Sequence, residues 1–270
     1  MNLIYSCVFF NQNYINLLSL LLNSYYKFGN CNNKCKYLVI CNQNLKDKVE
    51  LLFKKFKING YVWCLDLHTI LDAACARLKI FDYPDISSYK NILYLDCDIL
   101  IADDISDVWN INKEDKIYAI HENADRNSHF YFFNDEEYKN IDKNKAFTSC
   151  ILLFKNSVNI KNLFKTINRH IDTFVSKKIK APYCLDQPFI VYHAINNNLF
   201  NNVDLQKIAA NRRFNNYNEI IYFKHIVENI KEQDKHKFKN KGINHFVTGV
   251  GHYDSKLTSM QLYSKYILNL

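Results

Sequence analysis

Two carboxylates stand one residue apart in an apolar run, Asn91-Ile92-Leu93-Tyr94-Leu95-Asp96-Cys97-Asp98-Ile99-Leu100-Ile101. The run favours a β-strand, and apolar residues on both of its faces point to a buried central strand. A buried carboxylate is costly without a positive partner, and two together repel each other. A divalent cation at the strand's C-terminal end, where α/β sheets bind ligands, would resolve both problems. Residues i and i+2 of a strand share a face, so Asp96 and Asp98 can converge on one ion. Such an ion suits a phosphate ligand. A pair of strand-end caps is the plain alternative.

The elements that must position this pair follow from periodicity. Residues 3–10 read as a first strand and 11–14 as a polar turn. Residues 15–27 read as a helix with a broad apolar face that ends at Gly29. Strands are expected at 36–41, 61–67 and 92–96, with helices at 45–56 and 72–81 between them. This alternation argues for an α/β fold with a mostly parallel central sheet and helices on both faces. The second half is less regular. Strands are expected at 117–121 and 146–154, and helices at 160–174 and 186–194. A short strand after Lys241, a turn at 248–252 and a helix from Leu257 complete the chain. Residues 130–145, rich in Asp, Glu, Asn and Tyr, read as an exposed excursion over the site.

With 270 residues, 48% hydrophobic and 15% aromatic, the chain can bury a sizeable core. Only 5 Gly and 3 Pro argue against a linker-rich protein. The net charge of +8 comes partly from Lys-rich segments such as 177–180 and 231–241, read as solvated faces. No nucleic-acid recognition motif accompanies that charge. The 9 Cys are odd in number and mostly sit in apolar runs, as buried thiols do in a reducing compartment. Cys31 and Cys35 have ligand-like spacing, but no second Cys/His pair follows to complete a zinc site. No window approaches the roughly 20 apolar residues of a membrane span. With no secretory signal evident, a cytoplasmic, soluble state is expected.

The segments Ala76-Arg77-Leu78-Lys79, Lys90 to Leu100 and Ile105-Ser106-Asp107-Val108-Trp109 together resemble retaining glycosyltransferase family 8, the family of glycogenin and of bacterial lipooligosaccharide galactosyltransferases. Five further segments match the family in order. Phe9 to Tyr14 is similar to its uracil-holding turn, with Asn11 and Tyr14 at the matching positions. Phe147-Thr148-Ser149-Cys150 is similar to its Phe-Asn-Ser/Ala-Gly strand beside the donor sugar. Leu185-Asp186-Gln187-Pro188 resembles the Asp-Gln pair at the anomeric carbon. Arg213-Phe214-Asn215 resembles an Arg/Lys-Phe-Asn segment. His245-Phe246-Val247-Thr248-Gly249 resembles the segment whose His is the third metal ligand. Thr148 and Cys150 depart from the usual Asn and Gly. Gly249 falls one place late, and the Lys that usually follows has no match, with Gly251 or His252 nearest. His252 or Lys256 could supply its charge.

The resemblance implies a single domain over residues 1–270 with the GT-A nucleotide-diphospho-sugar transferase fold. Its nucleotide-binding half is expected over 1–110, and its sugar and acceptor half, with the C-terminal metal-ligand segment, over 111–270. It implies Mn²⁺, with Mg²⁺ as the alternative, held by Asp96, Asp98 and His245; the imidazole favours Mn²⁺. It implies a UDP-sugar donor contacted by Asn11, Tyr14, Arg77, Cys97, Thr148, Ser149, Gly249 and His252, with Asp186 and Gln187 at the reaction centre. The acceptor stays open among a glycan, a lipid-linked sugar, a small polyol and a protein Tyr, and a homodimer is compatible with the resemblance.

The residue types fit that chemistry. A guanidinium such as Arg77 grips phosphate or sugar hydroxyls through paired hydrogen bonds, unless it is a surface helix Arg. Asn11 offers a donor and an acceptor to a base edge. Tyr14 can stack on the base, unless it is one of many core Tyr. A double displacement needs a carboxylate nucleophile, and Gln187 is an amide. Front-face substitution is therefore expected, with Asp186 adding negative field; a helix N-cap is its plain alternative. Two other classes are less well matched. A haloacid-dehalogenase-type phosphatase would want Thr where Leu100 stands, in the first strand. A non-catalytic sugar-nucleotide or glycan-binding module could share the fold.

Overall fold

The computed structural model describes residues 1–30, 35–239, 241–248 and 253–270. Gly249, Gly251, His252 and Cys31 lie outside the described residues. The first half follows the expected alternation. β1 (Asn2–Val8) leads to α1 (Tyr14–Phe28), β2 (Cys35–Cys41), α2 (Lys46–Lys55), β3 (Gly60–Cys64), α3 (Ile70–Cys75) and β4 (Asn91–Leu95). The short β5 (Ile99–Ile101), α4 (Val108–Ile111), β6 (Ile117–His121), α5 (Asp135–Asn140) and β7 (Phe147–Lys155) follow. Then come α6 (Val158–Ser176), α7 (Gln187–Asn196), β8 (Phe200–Asn201), β9 (Ala209–Phe214), α8 (Tyr217–Glu228), α9 (Lys235–Lys239), β10 (Ile243–Thr248) and α10 (Tyr253–Tyr263).

The main sheet has the order β3-β2-β1-β4-β7-β6-β8. β1 pairs in parallel with both β2 and β4, with Asn2 opposite Cys35 on one side and Asn91 on the other. The chain thus winds outward from β1 through β2 to β3, then returns to add β4 on β1's other side. The C-terminal ends of β1 and β4 flank that reversal, the place where open α/β sheets leave a crevice. β7 enters antiparallel beside β4, with Leu95 opposite Ile151, and the Asp96 amide donates to the Cys150 carbonyl at 2.9 Å. Its N-terminal residues therefore reach the same edge as the end of β4.

A second, three-stranded sheet, β5-β10-β9, lies beside this edge. His245 on β10 pairs with Ile99 on β5 and with Asn211 on β9. The Phe246 amide donates to the Asp98 carbonyl at 2.9 Å, tying the two sheets together at the end of β4.

Core packing follows the sequence pattern. β1, β2, β4 and β7 are buried almost throughout, and α6 buries Ile160, Leu163, Phe164, Ile167 and Ile171, its expected stripe. Four expectations change. The strand expected at 61–67 is β3, which ends at Cys64. The helix expected at 72–81 is α3 followed by a tighter 3₁₀ segment over Ala76–Asp82; Thr69 and Asp72 form a capping box that starts α3 earlier. The last helix begins at Tyr253, ahead of Leu257. The 130–145 excursion is anchored: Phe130 and Phe133 are buried, and Asn134 caps α5. Its apolar aromatics seat the polar remainder on the surface.

Candidate metal and donor site

Asp96 and Asp98 sit at the turn between β4 and β5, and His245 comes from β10. One ligand atom from each of the three lies within 4.8 Å of the others. Asp98 and His245 are buried, while the Asp96 side chain remains about a quarter exposed. His245 Nε2 is 3.4 Å from Asp98 Oδ1. His245 Nδ1 meets Asn211 Oδ1 at 2.9 Å, which assigns the Nδ1 proton to that bond and turns Nε2 to the carboxylates. Asp98 Oδ1 is buried without a hydrogen-bond partner. An orphaned carboxylate oxygen, a second carboxylate and an oriented imidazole together fit a divalent cation.

Lys256, on α10, donates to Asp98 Oδ2. Burial works against the Asp98 charge, but Lys256 and His245 outweigh it and hold the carboxyl well below its usual range. Burial likewise opposes charge on His245, and Cys150 and Asp98 overcome it, raising its pKa. Tyr94 donates its hydroxyl to Asp96 Oδ1, and its ring packs on Tyr5 at 4.9 Å.

Arg77 is the hinge of the site, buried rather than on a surface helix face. Its Nη1 lies 3.3 Å from Asp96 Oδ1 and donates to the Ser149 carbonyl at 2.7 Å. Its Nε lies 3.1 Å from Asp186 Oδ2, and its plane covers the Tyr94 ring at 4.5 Å. Burial disfavours the guanidinium charge, yet Asp186 and Asp96 more than offset it.

Asp186 immediately precedes α7, but its side chain makes no capping bond. The N-cap alternative therefore fails, and the carboxylate faces Arg77 instead. Burial pushes Asp186 up to about 6; Arg77 pulls it down and Asp96 adds to the rise. Leu185, just before it, has φ 50°, a left-handed conformation that costs a non-Gly residue roughly 1–2 kcal/mol. Gln187 is fully engaged: its Oε1 accepts from the Ser149 amide at 3.0 Å, and its Nε2 donates to the Ser128 carbonyl at 3.1 Å.

The remaining predicted residues divide. Thr148 and Ser149 are buried at the start of β7 beside this group. The Cys97 thiol turns back onto the Cys7 carbonyl at 3.3 Å, so its side chain serves the strand end. Asn11 and Tyr14 lie after β1; Tyr14 is 40% exposed and so is not a core residue. Asn11 Oδ1 accepts from the Asn13 amide at 2.9 Å, which shapes the turn. Arg213 pairs with Glu122, whose other oxygen meets His129 Nε2 at 3.2 Å. Sequence reasoning misses Tyr94, Asn211, Glu122 and Ser128. For Asn211 the only signal is a polar residue in the run Ala209 to Phe214, which has no clear period.

Comparison with known proteins shows the fold. Over 99% of its length the chain superposes on the galactosyltransferase LgtC, solved with donor and acceptor sugar analogues, covering 96% of it at TM-score 0.59 and 14% identity. The fold is GT-A. The bifunctional glycosyltransferase WbbM matches at TM-score 0.60 and 16% identity over 99% of this chain, which spans about half (52%) of WbbM. Mouse xyloside xylosyltransferase 1 matches at 0.57 and 13%, covering 90% and 96% of the two chains. By sequence, General stress protein A of Bacillus subtilis (strain 168) is 29% identical over 109 residues, 40% of this chain and 36% of that protein. No family model matches the chain. No helix among the described residues is long and apolar enough to cross a membrane.

Proposed function

We propose that the chain is a metal-dependent, retaining hexosyltransferase of the family 8 type, moving a sugar from a UDP-sugar to an acceptor hydroxyl. The observation that carries this is the convergence of Asp96, Asp98 and His245 at the reversal point of a GT-A sheet, with Arg77 joining Asp96 to Asp186. Residues 1–110 would hold the nucleotide, and residues 111–270 the sugar and acceptor.

Asp96, Asp98 and His245 would hold Mn²⁺, or Mg²⁺ in second place, because an imidazole ligand suits the softer ion. When bound, the ion supplies Lewis-acid neutralisation of the charge that builds on the departing diphosphate. Asn11 and Tyr14 would receive the uracil, Tyr14 by stacking its exposed ring. Thr148 and Ser149 would contact the donor sugar, and the Cys97 backbone the nucleotide. Gly249 and His252 would contact the diphosphate. Gln187, an amide bonded at both ends, would present a dipole rather than a nucleophile to the anomeric carbon. The glycosidic C–O bond then breaks and the new one forms on the same face, and the leaving phosphate oxygen takes the acceptor proton. Asp186 adds negative field beside the cationic carbon.

A panel of nucleotide sugars with Mn²⁺, scored for binding and for UDP release, tests the assignment. UDP-sugar turnover is expected. Tight binding without turnover in any acceptor mixture favours a non-catalytic sugar-nucleotide module, a reading that Thr148 and Cys150 support by departing from the family strand. Failure to bind any UDP-sugar refutes both.

A further inference from the structure

Asp98 already holds a cation supplied by the chain itself. The Lys256 ammonium bonds Asp98 Oδ2, and the Asp98 side chain is only 9% exposed. Lys256 sits three residues after Tyr253 on α10, so the two lie on one face of that helix. The Tyr253 ring is 6.0 Å from that of Tyr14, and its hydroxyl accepts from Asn16 Nδ2 at 3.1 Å. One turn of α10 therefore touches both the carboxylate of the metal triad and the start of α1, where the proposed base-binding turn ends.

We propose that Lys256 is a built-in counter-cation that competes with the divalent ion for Asp98 and thereby couples ion binding to nucleotide binding. This rests on reading Asp96, Asp98 and His245 as a metal centre. An ammonium on one oxygen of Asp98 repels a divalent ion at the other, so the ion must displace it. A diphosphate gives the displaced ammonium a new partner of the same sign as the one it leaves. Ion alone then binds weakly, ion and UDP bind tightly together, and each raises the other's affinity by the same factor. Tyr253 and Asn16 give the nucleotide side a mechanical contact with the helix that carries Lys256.

The experiment titrates Mn²⁺ into the full chain and into Lys256→Met, with and without UDP, following the free-ion signal by electron paramagnetic resonance. Lys256→Met should bind Mn²⁺ alone about tenfold more tightly than the wild type, within the usual range for coupled sites. The gain in Mn²⁺ affinity on adding UDP should shrink by a similar factor. Lys256→Arg should keep the wild-type pattern. Lys256→Gln serves the same comparison if the methionine variant does not fold. Equal or weaker Mn²⁺ binding by a folded Lys256→Met or Lys256→Gln protein overturns the proposal and leaves the metal centre standing. No Mn²⁺ binding to the wild type, even with UDP, overturns the metal centre and the proposal together.

Discussion

Asp96 and Asp186 share one guanidinium. Arg77 Nη1 stands 3.3 Å from the first and Arg77 Nε 3.1 Å from the second, so the candidate metal ligands and the candidate reaction-centre pair are set by the same side chain. Removing it leaves two carboxylates without their common partner in a buried site. Arg77→Met should lower unfolding free energy by about 3–5 kcal/mol, the usual loss when one member of a buried ion pair is removed. A denaturant midpoint unchanged from wild type would show that the carboxylates find another partner.

Metal-dependent donor binding is the direct test of the triad. Calorimetry should show UDP binding that strengthens sharply on adding Mn²⁺, and Asp96→Asn combined with Asp98→Asn should abolish transfer in a folded protein. Asn211→Ala removes the acceptor that orients His245 and should weaken Mn²⁺ binding about 10–100-fold. Identical UDP affinity in chelator and in Mn²⁺ would remove the metal from the site.

The proposed role of Asn11 and Tyr14 predicts the choice of base. UDP should outcompete GDP and ADP, and Tyr14→Ala should weaken UDP binding by roughly 1–3 kcal/mol of lost stacking. A purine diphosphate that wins the competition would mean the turn holds another part of the donor.

Asp186 imposes a pH dependence on stability. Its folded pKa of about 6 lies above the ordinary carboxylate value, so between about pH 4 and 6 the native state of the metal-free protein binds more protons than the unfolded state. Stability from this group therefore falls as pH rises through that window. Asp186→Asn stays neutral throughout. The wild type should lose up to about 3 kcal/mol relative to that variant on going from pH 4 to 7. Thermal melts of both proteins across this range measure the difference; parallel curves would place the Asp186 titration outside the window.

Stereochemistry tests the mechanism. NMR of the fresh product from an α-linked donor should show an α-glycoside. Gln187→Ala should slow transfer without abolishing it, and Gln187→Glu should not improve on the wild type, because a stronger nucleophile is not what the front-face route lacks. A β-linked product would defeat the retaining assignment. A stable sugar adduct trapped on Asp186 would keep retention but replace the front-face route.

Elements with strong local periodicity are legible in the amino-acid sequence alone. β1, β2, β4 and α6 carry apolar runs or stripes whose spacing decides strand or helix, and their alternation implies a largely parallel sheet. Asp96 and Asp98 are legible because two carboxylates at the end of a buried strand are costly without a cation. Asp186, Gln187 and His245 stand out only through ordered resemblance, since each alone has an ordinary structural role. Only the tertiary structure decides the rest. β9 lacks a clean apolar period and takes its form from pairing with β10. The antiparallel entry of β7 is a choice of sheet neighbour, which brings Ser149 to Arg77. The contacts of Asn211 with His245 and Lys256 with Asp98 are set by register, rotamer and the electrostatics of a buried site. No local pattern encodes them, because their partners mostly meet across sheets and helices that are far apart in the chain.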